Sequence, residues 1–146
     1  MNIKQIVALV FAGLTDPANH TFRIGWKTFQ NFKADEEAVF PLRYLDTPIV
    51  GNDSLKQSGL IETDFPLTIG FLDKTKLDAT PEEHDVIIQE QRRQSTIFIT
   101  ACQNSSLIHF VKTVKRTEIV NIFDLNLSGI ILEITLTPFN PDDKGC

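Results

Sequence analysis

The chain has 146 residues, 42% of them hydrophobic, with 14 basic against 19 acidic side chains. Length and apolar content fit a single globular domain over 1–146 with a substantial core, and the net charge of −5 argues against general nucleic-acid binding while leaving room for a local basic patch. Two distant cysteines, Cys102 and Cys146, exclude a disulfide framework and suggest a reducing compartment.

The opening "MNIKQIVALVFAGL" loosely resembles a signal peptide, but its charged start is weak and no small-residue cleavage site follows. Ile3, Ile6, Val7, Val10, Phe11 and Leu14 recur at the spacing of one helical face, so a packed or partner-facing helix is predicted, ending near Thr15-Asp16-Pro17. The run is too short to span a bilayer.

In "TFRIGWKTFQNF" (21–32), Phe22, Ile24 and Trp26 alternate with Arg23, Gly25 and Lys27, which predicts a strand. A polar turn (33–37) and a second strand (38–45) follow, with Pro41 marking an edge or a bulge. Pro48, Gly51, Asn52, Asp53, Ser58 and Gly59 make 46–59 read as a long mobile loop. Strand character returns over 60–74, interrupted at Pro66, with Phe65, Leu67, Ile69 and Phe71 on one side and Thr68, Gly70 and Leu72 on the other.

A helix is predicted over 81–103, with Val86, Ile87, Ile88, Phe98, Ile99 and Cys102 on its apolar side. The polar stretch from Gln89 to Ser95 suggests a free outer face carrying Glu90, Arg92 and Arg93. Residues 107–123 read as a long strand, the first limb of a hairpin arm over 112–128. That arm either reaches beyond the domain or is an ordinary amphipathic hairpin. In the last strand, 130–139, Ile130, Leu132, Ile134 and Leu136 alternate with Ile131, Glu133, Thr135 and Thr137. Residues 140–146 form a polar tail. The order α-β-β-β-α-β-β predicts an α+β domain, an antiparallel or mixed sheet with two helices packed on it.

The stretch "FLDKTKLDATPEEHD" gathers five carboxylates and His84. Thr80, Pro81 and Glu83 fit a helix start, with a cap, a proline at the first helical position and a capping-box acid. Glu82, Glu83 and Asp85 then complement the helix dipole. His84 has no ligand at helical spacing, and the chain contains no HExxH, EF-hand, GxSxG or clustered-glycine motif. His20 and His109 belong to no motif either. Neither an enzyme activity nor a cofactor nor a metal is expected. Lys112, Lys115 and Arg116, with Phe110 nearby, form a basic patch that reads better as solvated or intersubunit charge than as a nucleic-acid site.

The element order, with the segments "LIETDFPLTIGFLDKTKLDATPEEHDVIIQEQRRQSTIFI" and "VKRTEIVNIFDLNLSGIILEITLTPFN", resembles the tail-terminator and neck proteins of tailed bacteriophages, of the type found in phages of Bacteroidetes hosts. The resemblance covers about residues 57 to 140. It implies a virion protein, assembled in the host cytoplasm, that forms a homo-oligomeric ring of six- or twelve-fold symmetry at the head–tail junction. Its implied partners are portal, neck or tail-tube proteins and the DNA in the lumen, with no membrane. On this view Lys112, Lys115, Arg116, Glu118, Ile122, Phe123, Arg92 and Arg93 are subunit-contact candidates, and Ile49, Val50 and Leu55 are contact candidates in the 46–59 loop. The alternative is a small ligand- or metal-binding domain or enzyme with a pocket beside the sheet, with His84, Asp73 and Asp78 as its candidate residues.

Overall fold

A computed structural model describes residues 2–15, 20–25, 41–55, 57, 59, 61–74, 79–122 and 127–139, with the backbone alone at 121 and 122. The expectations for Trp26, Lys27, the turn at 33–37, Asp78, Phe123, Cys146 and the tail lie outside the described residues.

Helix α1 spans Ile3–Ala12. Asn2 caps it by accepting from the Gln5 N–H at 2.9 Å, and the Gln5 side chain accepts from the Asn2 N–H in return. Ile3, Ile6, Val7, Val10 and Phe11 are buried, as their spacing requires. The helix stops short of Thr15, at Gly13, whose N–H bonds back to Leu9 O and Val10 O.

Among the described residues, six strands form the sheet, in the order β1-β2-β4-β6-β5 with β3 pairing β4. They are β1 (Thr21–Ile24), β2 (Leu42–Leu45), β3 (Asn52–Leu55), β4 (Ile61–Lys74), β5 (Ile108–Ile122) and β6 (Leu127–Pro138). Only β1 and β2 pair in parallel, so the sheet is mixed and the domain is α+β.

Two readings are corrected. Residues 52–55 are a strand of the sheet rather than part of a loop, because they pair with Ile61–Asp64. Four strands therefore precede the second helix instead of three. Pro66 does not interrupt β4, which runs unbroken from Ile61 to Lys74. On the edge away from β6, β4 pairs with β3 at 61–64 and with β2 at 69–72. Pro66 falls between these two partners, where its missing N–H costs no ladder bond on that edge. Pro41 sits just before β2 and accepts from the Thr21 N–H at 3.1 Å.

Helix α2 spans Pro81–Asn104 and is capped by Thr80, whose Oγ1 accepts from the Glu83 N–H at 3.3 Å. Both helices share one core with the sheet face bearing Leu67, Ile69, Phe71, Ile130, Leu132, Ile134 and Leu136. Aromatic stacking joins the layers: Phe11 lies 4.4 Å from Phe98 and 5.9 Å from Phe71, centroid to centroid. The opposite face carries a smaller cluster, Leu42, Tyr44, Leu72 and Leu127, with Ile119 against it.

The β5–β6 hairpin lies within the sheet, since β6 is paired on both sides along nearly its whole length. Over the described residues, both limbs of the hairpin stay within the sheet. No described helix is long and apolar enough to cross a membrane.

Candidate assembly surface

Among the described residues, strand β5 forms one flank of the sheet and is paired only with β6. A register shift between Lys112 and Val114 leaves Thr113 as an extra residue, with φ of +46°. The shift matters for side-chain direction. Lys112 pairs with Thr135, and Lys115 with Glu133, both on the face away from the helices. Strict alternation would have put those two lysines on opposite faces.

The basic patch is thereby divided. Lys112 Nζ lies 3.3 Å from Asp64 and 3.7 Å from Glu62, and 5.4 Å from the centroid of the Phe110 ring. Lys115 Nζ lies 3.8 Å from Glu133. Arg116 turns to the helix side and donates to Thr96 Oγ1 of α2 at 2.8 Å. Glu118, exposed, shares that helix-side register opposite Ile130. Ile122 ends the strand. The helix-free face also holds a shallow cleft of about 340 Å³ lined by Pro66, Thr68, Thr113, Lys115, Glu133 and Thr135.

On α2, Arg93 makes a two-point ion pair with Glu90, at 2.6 and 3.0 Å, on the exposed side. Arg92 is half-buried, and its carbonyl accepts from Ser95 Oγ and Thr96 Oγ1. Of the 46–59 candidates, Ile49 packs on the main core, whereas Val50 and Leu55 are 62% and 76% exposed. Leu55 stands opposite the exposed Ile61 across the β3–β4 hairpin.

Of the residues of the enzyme alternative, His84 and Asp73 are described, and both neighbour Ser128, which pairs with Asp73 across β4 and β6. His84 lies on the buried face of α2, with Nδ1 3.4 Å from Ser128 Oγ. Asp73 is half-buried and accepts from the Lys74 N–H at 2.8 Å. Burial pushes its carboxyl above the ordinary 3.8, against the lowering pull of that N–H and of the Arg43 charge. His109 packs between Phe110 and Phe139, at 3.8 and 4.6 Å. Among the described residues no group of three or more His, Cys, Asp or Glu side chains is placed to hold a metal ion.

Sequence reasoning missed Arg43. It is only 2% exposed and rests 5.1 Å above the Phe71 ring centroid. Its Nη1 donates to Gln91 Oε1 at 3.1 Å and to Leu42 O at 3.3 Å, while its buried Nη2 has no hydrogen-bond partner. Burial lowers its pKa to about 10, against the raising pull of Asp73 and Glu90. The polar run of α2 held the available signal. Gln91, Gln94 and Ser95 face inward and are buried, so the stretch is not wholly the free outer face expected of it.

No protein-family model matches the chain, and no curated protein is similar enough to count as a relative.

Proposed function

We propose that the chain is a structural virion subunit that forms a ring at the head–tail junction of a tailed bacteriophage, as a tail terminator or connector. Its role in this reading is non-catalytic. The partners are further copies of itself, in six- or twelve-fold symmetry, the neighbouring portal, neck or tail-tube proteins, and DNA passing non-specifically through the lumen.

One observation carries the reading: the molecule has two unlike exposed surfaces on opposite flanks of β4. On the β6 side the sheet ends in the long open edge of β5, with Val114 and Val120 exposed. On the other side Leu55 and Ile61 of the β3–β4 hairpin are exposed, as is Val50 just before β3. Closed rings are built from head-to-tail contacts between two different patches of each subunit, and opposite placement is what such a contact needs. Exposed apolar side chains at both sites supply contact area.

Native mass spectrometry and negative-stain electron microscopy of the purified chain test this. Closed rings of six or twelve copies are expected. A chain that stays monomeric at the highest attainable concentration sinks the reading.

A further inference from the structure

Between its register shifts, β5 runs regularly from Val114 to Ile119. No described strand lies on its outer side. Its backbone groups there form a row open to another strand, and its sequence, "VKRTEIV" over 114–120, is complementary to itself when reversed.

A two-fold axis perpendicular to the sheet, passing through Thr117, keeps the helix-bearing faces of two copies on the same side. Residues that meet across the axis must then share a face. Arg116 and Glu118 do share one, the helix side, and each falls opposite the other residue of the second copy. Thr117 meets Thr117, and Lys115 meets Ile119. The exposed Val114 and Val120, 46% and 49% accessible, fall opposite each other at both ends. Apart from Lys115 with Ile119, the pairs are of kinds that favour antiparallel strands: opposite charges, threonine with threonine, valine with valine. The bond from Arg116 to Thr96 uses one donor of five, so the guanidinium can hold both partners. Lysines and charges on an edge usually repel a second strand. Here the alternating signs at 116 and 118 select one partner and one register.

We propose that β5 is a self-recognition edge, through which two copies of this chain pair antiparallel about a two-fold axis at Thr117. The contact does not depend on the ring reading. It competes with any ring contact that uses the same edge, so the dimer would be a form in which β5 is withheld from ring neighbours.

The test uses the full chain with Cys146→Ser, so that the only native thiol is the buried Cys102. Directly opposed residues of an antiparallel pair have Cα atoms about 4.5 or 5.5 Å apart, within disulfide range. Thr117→Cys is expected to give a covalent dimer under mild oxidation. Ser54→Cys, on the exposed β3, is the control and is expected to give much less. By sedimentation, Arg116→Glu and Glu118→Arg are each expected to weaken the dimer about tenfold, because each sets two like-charge pairs across the axis. The double exchange is expected to restore it. Circular dichroism confirms that each variant is folded. The proposal is overturned by a monomer throughout, by no cross-linking preference for position 117, or by a double exchange no better than the single ones. Rings without the cross-link would overturn it and leave the ring reading standing. Dimers without rings would do the reverse.

Discussion

The guanidinium of Arg43 and the side-chain amide of Gln91 meet at 3.1 Å between β2 and α2, both almost fully buried. A buried cation left without this acceptor keeps its desolvation cost and loses its compensation. Gln91→Leu is therefore expected to destabilise the fold by about 2 kcal/mol. Arg43→Met combined with Gln91→Leu removes both polar partners and should recover most of that loss. Urea unfolding of the two single variants and the double variant measures the coupling, and simple additivity would show that the pair does not act as a unit.

Asp73 gives a pH dependence of defined sign. Burial raises its carboxyl pKa in the folded state, so the folded chain holds this proton more tightly than the unfolded one. Its contribution to stability is full below the ordinary value of 3.8 and is lost as pH rises through the raised folded value. Relative to Asp73→Asn, the native chain should therefore become less stable as pH climbs from 3.8 through that raised value, then level off. Denaturant melts of both proteins across this range measure the difference. An opposite slope would mean that the attraction of Arg43 outweighs the burial.

Gly129 pairs with Leu72 on β4 and Ile119 on β5, with φ of +157°. A Cβ there would lie 1.9 Å from Phe71 O, closer than any non-bonded contact. Backbone, not a yielding side chain, is the obstacle. Gly129→Ala is expected to cost at least about 3 kcal/mol, read as a fall in thermal midpoint, or to prevent folding. A variant as stable as the native chain would show that this crossing of three strands is looser than described.

Burial pushes the Cys102 thiol up to about 12, so almost none of it is thiolate near neutral pH. In the Cys146→Ser chain, labelling by a thiol reagent at pH 8 should proceed at the rate of global unfolding and speed up with denaturant. Rapid labelling in native buffer would show that α2 lifts from the sheet locally.

Strong periodicity made much of the fold legible. Ile3, Ile6, Val7, Val10 and Phe11 marked α1, Thr80 and Pro81 marked the start of α2, and Ile130 to Leu136 marked β6. The misreadings came from residues whose local character was overruled by tertiary partners. Asn52 to Leu55 has turn composition and becomes a strand only because Ile61–Asp64 offers a ladder. Pro66 reads as a break and is absorbed where β4 changes partners. Thr113 gives no sign of a bulge, yet it decides which face Lys115 occupies. Arg43 looked like an ordinary charge in a short strand. Only the fold shows that Gln91 lies above it, 48 positions away in the chain.

The division of one edge of β4 between β3 and β2 separates two jobs within a single strand. From Ile69 to Leu72 β4 is a fixed beam, held on both sides, with Ile69 and Phe71 locked into the core. Before Pro66 it is a projecting bracket whose only partner on that edge is the short β3. The bracket's length and tip chemistry can vary without moving the register of β2, β4, β6 and β5. A related chain could thus change what it reaches toward by altering residues 50–62, while the beam and the helices above it stay as they are.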